Sequence, residues 1–455
     1  MRRSVRALLI GMLLAVAGVV LAGCGLLGDD DDDDGGSEGG SIKVAIVDNP
    51  QMQDLTKLTP SLFTNETGIE VDYSVLEEGT LREVTTRDVA AGAGQFDVIM
   101  LGPYEAPQFG SDGTLTDLTP YVSDDEAYNV DDIIPAVRTA LTADGKLYAA
   151  PFYGESSFLM YRKDVLKDEG VTMPAQPTWT QVAEIARMID KPDMAGICLR
   201  GLPGWGDLGA SFTTVLNTFG GTWWSANEDG SVGEAMVDQP EFRKALQFYV
   251  DLVRDAGEQD AASSSFNECL SQYLDGNVAM WYDATVAAGL LEADDSDVKG
   301  KNGYAPAPVE ETPASGWLWT WALAIPTASE DVDAAWDYIS FATGPEYLKQ
   351  AGTRVPGGWA AIPPGTRRST YEIPEYEEAA AAFAEPTLDS ISAAPIDDPG
   401  TTPRPGLPGV QYVGIPEFQD VGNRCTEEFS AVIAGRESID EALANCQDIA
   451  SEVAQ

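Results

Sequence analysis

Strand-like and helical runs alternate between Ile42 and Leu101, and that order allows few arrangements of the chain. Ile42 to Val47, Glu70 to Val75 and Phe96 to Leu101 read as strands, with helical patterning at 52–66 and 80–93 between them. Strands separated by helices are joined by crossovers, so the three lie parallel in an α/β sheet. Ligands of open sheets of this kind bind beyond the carboxyl ends of the strands, which directs attention to Asp48–Met52, Glu77–Arg82 and Gly102–Glu105. A second α/β block begins near Pro151. Its helix at 179–190 has Thr178 and Gln181 at capping-box spacing and buries Val182, Ile185, Ala186 and Ile189 on one face. A further amphipathic helix, 241–254, presents Phe242, Ala245, Leu246, Tyr249, Val250 and Val253. The length of 455 residues suits two or three domains.

Charge removes whole classes of function. The chain carries 27 Lys and Arg against 74 Asp and Glu, a formal net charge of −47, and no His. A field of that sign repels a polyanion, so no nucleic-acid partner is expected, and anionic small molecules are disfavoured. Without His there is no Ser-His-Asp or Cys-His nucleophile and no H-E-x-x-H metal site. The acidity points to a surface suited to salt, where self-repulsion is screened.

No cofactor or metal is expected. Gly204-Trp205-Gly206-Asp207-Leu208-Gly209 matches G-x-G-x-x-G, but Trp205 crowds the approach of a pyrophosphate. Asp30, Asp32, Asp34 and Gly35 fall at early positions of a calcium loop whose last ligand would be Ser41 instead of Glu.

Arg2, Arg3 and Arg6 precede an apolar run from Ala7 to Leu21, and Leu21-Ala22-Gly23-Cys24 looks like a lipobox. Residues 1–23 are therefore expected to be a lipoprotein signal peptide and Cys24 an acylated N-terminus, holding the protein on the outer face of the cytoplasmic membrane. Residues 24–40, with a run of Asp from Asp29 to Asp34, read as an acidic, Gly-rich tether. Export favours disulfides. Cys425 and Cys446 lie on apolar helical faces, and Gly435 stands 10 residues after the first and 11 before the second. A helix hairpin turning there pairs Cys425 with Cys446, which leaves Cys198 with Cys269.

Trp317, Trp319 and Trp321 alternate, so in a strand they share one face. They serve either as sheet core or as an aromatic wall for the C–H faces of a sugar or polyol. Trp281-Tyr282-Asp283 sets a carboxylate beside aromatics, a combination that accepts hydroxyl hydrogen bonds, and Glu155 and Arg82 are further candidate contacts for hydroxyls.

Lys146-Leu147-Tyr148-Ala149-Ala150-Pro151-Phe152-Tyr153-Gly154-Glu155-Ser156-Ser157, Met160-Tyr161-Arg162-Lys163-Asp164, Gly196 to Gly201, Gly204-Trp205-Gly206, Trp281 to Thr285, Trp317-Leu318-Trp319 and Pro363-Pro364-Gly365-Thr366-Arg367 together carry a resemblance. The sequence resembles the extracellular solute-binding proteins of ABC importers, the maltose-binding-protein-like class, and within it the mannitol and sorbitol binders. The resemblance covers nearly all of 41–440. It implies an α/β, type II periplasmic-binding fold whose two lobes each hold a mixed, mainly parallel sheet flanked by helices. Lobe one would be 41–151 plus 306–353 and lobe two 152–305 plus 354–455. It implies a monomer that encloses a small neutral polyol or sugar by hinge closure and presents it to membrane permease subunits. By matching motifs, the expected contacts are Glu78, Arg82, Tyr153, Glu155, Trp205, Asp283 and Trp319. Gly79 stands where the polyol-binder pattern has Asn, which leaves polyols, monosaccharides and disaccharides as alternatives. Two other readings compete: an exported carbohydrate-active enzyme using two carboxylates, and a sensory receptor for the same ligand.

Overall fold

The structure, a computed structural model, describes residues 40–312, 316–394 and 409–453. The expected signal peptide, Cys24, nearly all of the acidic tether and most of the Pro/Gly-rich stretch at 395–409 lie outside the described residues. In chain order the strands are β1 (Ser41–Val47), β2 (Glu70–Leu76), β3 (Val98–Leu101), β4 (Thr142–Ala143), β5 (Lys146–Leu147), β6 (Ala150–Glu155), β7 (Ser157–Arg162), β8 (Trp224–Ala226), β9 (Val232–Ala235), β10 (Met280–Ala284), β11 (Asn302–Pro306) and β12 (Trp319–Ala324).

The first sheet has the order β2-β1-β3-β12-β6. β1 pairs parallel with β2 and β3, as strands joined through helices do, while β12 runs antiparallel between β3 and β6. The linking helices are Pro50–Thr59 and Glu78–Ala91. Pro50 starts the first, where its missing N–H costs nothing, and at Pro60 the helix widens into a π-turn over Pro60–Thr64. In the second sheet, β10-β7-β11, the strands pair antiparallel. Its parallel component enters as single bridges from Ala195 to Val278 and from Cys198 to Trp281.

β6 and β7 are consecutive, yet they belong to different sheets, so the chain passes from one to the other at Ser156. This crossing lies beyond the 151/152 boundary read from the sequence. Pro151 does not end the first sheet's strand, because β6 is an edge strand and an edge tolerates a residue that donates no ladder hydrogen bond. The return passes between β11 and β12. Both passages meet at one place, because Trp319 at the start of β12 pairs with Glu155 at the end of β6.

Cys198 is bonded to Cys269 and Cys425 to Cys446, with Cα atoms 5.7 and 4.9 Å apart. The second bridge joins the helices Phe418–Ile433 and Ile439–Ser451.

The helix Trp179–Ile189 carries the full capping box: Gln181 N donates to Thr178 Oγ1 at 3.1 Å and Thr178 N to Gln181 Oε1 at 3.0 Å. Thr178→Ala removes one of these bonds and should cost about 1 kcal/mol in urea unfolding. An unchanged unfolding midpoint would show that the cap adds nothing.

Candidate ligand-binding cleft

A cleft with about 440 Å³ of empty space, part of it open to solvent, lies at the sheet crossings. Asn49 follows β1, Glu78 and Arg82 sit in the first turns of the helix Glu78–Ala91, and Tyr153 and Glu155 end β6. Trp319 and Trp321 come from β12, Trp317 from the approach to it, and Arg200, Trp205 and Gln411 from loops.

Two buried arginines anchor the walls. Arg82 donates to Glu78 Oε1 through Nη2 at 2.8 Å and to Glu105 Oε1 through Nη1 at 2.5 Å. Its guanidinium carbon stands 4.2, 4.6 and 4.8 Å from the ring centres of Trp205, Trp319 and Trp321. The tryptophan wall therefore stacks on the protein's own cation as well as bordering the cleft. Arg200 makes a bidentate pair with Asp283, through Nη2 at 2.6 Å and Nε at 2.8 Å, and donates to Gly206 O at 3.1 Å. Glu78 also lies 3.8 Å from Arg200, so one carboxylate faces both arginines.

Asp207, 1% exposed, stands 3.7 Å from Arg200 and accepts a hydrogen bond from Ser265 Oγ. Burial, helped by the negative charge of Glu78 and opposed by Arg200, raises its carboxyl to about 7. Burial likewise lifts Glu155 well above the ordinary carboxyl range, against the pull of Arg200.

Close packing of this site requires glycine at two positions. A Cβ on Gly102 would fall 2.1 Å from the Trp319 ring, and one on Gly206 would fall 2.4 Å from Glu78 Oε1.

Four residues that line the cleft keep a buried polar atom with no hydrogen-bond partner among the described residues: Glu155 Oε2, Gln411 Oε1, Trp205 Nε1 and Trp317 Nε1. Buried groups left unpaired cost about 1–3 kcal/mol each. Two acceptors and two donors carried by residues that line one cleft suit a ligand that donates and accepts at closely spaced positions, as vicinal hydroxyls do.

Residues 46–349 match the family described as bacterial extracellular solute-binding protein. The chain belongs to this family. A mannitol-binding protein of Pseudomonas aeruginosa is 40% identical to this solute-binding protein over 415 residues, 90% of this chain and 91% of that one. An erythritol/L-threitol-binding protein of Mycolicibacterium smegmatis is 26% identical over 79% of each chain. Among solved structures, an ABC transporter solute-binding protein from Agrobacterium vitis S4 with bound D-mannitol superposes with a TM-score of 0.87 at 42% identity, covering 91% of this chain and 98% of that one. The fold of the solute-binding protein is the maltose-binding-protein-like, type II periplasmic-binding fold.

Six of the residues singled out from the sequence, Glu78, Arg82, Tyr153, Glu155, Trp205 and Trp319, line the cleft together. Asp283 does not line it. Fully buried, it spends its carboxylate on Arg200, on Trp281 Nε1 at 3.2 Å and on Ala284 N at 2.7 Å, so it positions Arg200 and is not placed to meet a hydroxyl. Arg200, Asn49, Phe266 and Gln411 were not singled out. Arg200 lies inside the motif Gly196 to Gly201 and Asn49 inside Asp48–Met52 at the end of β1, whereas nothing local to Phe266 or Gln411 marks them.

Asp283→Asn should leave Arg200 an incompletely paired buried charge and cost about 3–5 kcal/mol of stability; a urea midpoint equal to wild type would contradict this. Asp207 gives a pH signature. Its carboxyl is raised on folding, so the folded state holds a proton the unfolded chain has lost, and this stabilisation, present at low pH, is lost as pH rises toward about 7. Asp207→Asn removes that dependence, so wild-type stability relative to the variant should fall between acidic and neutral pH and level off above. A difference that is flat with pH would contradict the assignment.

Proposed function

We propose that this protein is a non-enzymatic receptor that captures a neutral polyol, with D-mannitol the leading ligand, and hands it to an ABC importer. The observation that carries the reading is the set of unpaired buried atoms in the cleft, two acceptors and two donors. The mannitol-binding relatives support the choice of polyol. In this reading the chain left of the Ser156 crossing and the segment carrying β12 form lobe one, with 306–353 assigned to it. The remainder forms lobe two, and the lobes close on the ligand by hinge motion. Cross-cleft contacts fit a closed state: Tyr104 Oη donates to Ile415 O at 2.9 Å, and Asn267 Nδ2 donates to Asp48 O at 2.9 Å. Membrane permease subunits receive the ligand. The leader at 1–23 and acylation of Cys24 place the receptor on the outer face of the cytoplasmic membrane, with 24–40 as its tether.

The enzyme reading is weaker. Glu78 and Glu155 are the carboxylates that line the cleft among the described residues, and Glu78 is held by Arg82 at 2.8 Å. A nucleophile or base would need to be free of that pair.

A thermal-shift and calorimetric panel of mannitol, sorbitol, arabitol, glucose and maltose tests the reading. A ligand at about 100 times its Kd should add roughly 2.7 kcal/mol of stability. Stabilisation by a polyol is expected. Response to a disaccharide alone, or turnover of a glycoside, would contradict it.

A further inference from the structure

Charge is unevenly committed around the cleft. Arg82 is met by Glu78 at 2.8 Å and Glu105 at 2.5 Å, and Arg200 by Asp283 at 2.6 Å with Asp207 at 3.7 Å and Glu78 at 3.8 Å. Both guanidiniums are thus already neutralised, and neither has uncommitted charge for an anion entering the cleft. Glu155 is the exception in the opposite sense. It lines the cleft, is 5% exposed, and among the described residues takes part in no ion pair and has an Oε2 that meets no donor.

We propose that Glu155 makes the cleft select its ligand by charge, admitting a polyol or sugar in which a protonated amine replaces one hydroxyl and refusing the corresponding carboxylic acid. The proposal rests on the reading of the cleft as a polyol or sugar site. An ammonium offers three donors and no acceptor, so it can satisfy Glu155 Oε2 as a hydroxyl does, and its charge stabilises the ionised form of a carboxyl that burial pushes toward the neutral one. A ligand carboxylate would instead face Glu155 with both arginines occupied, inside a largely buried cleft where screening by solvent is weak. The Arg82 guanidinium over Trp205, Trp319 and Trp321 shows that these rings already accommodate a cation.

Calorimetric titration of the purified protein at neutral pH with two triads tests this: D-mannitol, 1-amino-1-deoxy-D-mannitol and D-mannonate, then D-glucose, D-glucosamine and D-gluconate. In whichever triad binds, the amine should bind within about tenfold of the neutral compound or more tightly, and the acid should be weaker than the neutral compound by more than about tenfold. Glu155→Gln, which keeps the shape and removes the charge, should move the amine-to-acid affinity ratio toward the acid by about tenfold or more. An acid that binds nearly as well as the neutral compound, an amine that binds much worse, or a ratio unchanged in Glu155→Gln overturns the proposal. The wild-type ratios decide the matter if the variant does not fold. Binding confined to the glucose triad would remove the polyol assignment and keep the charge rule, whereas binding by no compound would overturn both.

Discussion

Two guanidinium groups buried at the junction of the sheets set the character of this protein's cleft. A charge so placed is tolerated only when carboxylates answer it at hydrogen-bonding distance. The structure answers Arg200 with Asp283 from the second sheet and Arg82 with Glu78 and Glu105. Glu78 then reaches toward both arginines, 2.8 Å from one and 3.8 Å from the other. The pairs fix the walls, the walls fix the indoles, and the indoles leave a narrow polar slot between them.

The same network explains why some polar atoms are spent and others are not. Asp283 uses its oxygens on Arg200, Trp281 and Ala284, and Asp207 accepts from Ser265. Glu155, Gln411, Trp205 and Trp317 are left with buried atoms that find no partner among the described residues. A site whose framework is satisfied internally, and whose remaining valences belong to residues lining the slot, recognises its ligand without rearranging its charges. Backbone approach serves the same end: Gly102 lets the Trp319 ring lie against the chain, and Gly206 does so for Glu78.

Much of the fold is legible in the sequence because it is written in local periodicity. The runs at β1, β2 and β3 and the helices Glu78–Ala91, Trp179–Ile189 and Pro240–Ala256 follow from apolar spacing and caps. The crossing at Ser156 was less legible, because the second block reads as beginning near Pro151 until the strand holding that proline is seen to lie at the edge of the first sheet. The cleft was legible where motif residues themselves face it, as with Glu155 and Trp319. It was not legible where function depends on a pairing distant in sequence. That Asp283 is consumed by Arg200 is decided by a contact across 83 residues, and the stacking of Arg82 on three indoles depends on three separate segments meeting. Neither pattern leaves a local mark.

A crystal structure of the protein grown with D-mannitol tests the central claim most directly. The account predicts one mannitol in the cleft, with hydroxyls within hydrogen-bonding distance of Glu155 Oε2, Gln411 Oε1, Trp205 Nε1 and Trp317 Nε1 and with the Arg82 and Arg200 ion pairs unchanged. Mannitol bound elsewhere, or bound by breaking those ion pairs while the four atoms stay unpaired, would contradict it.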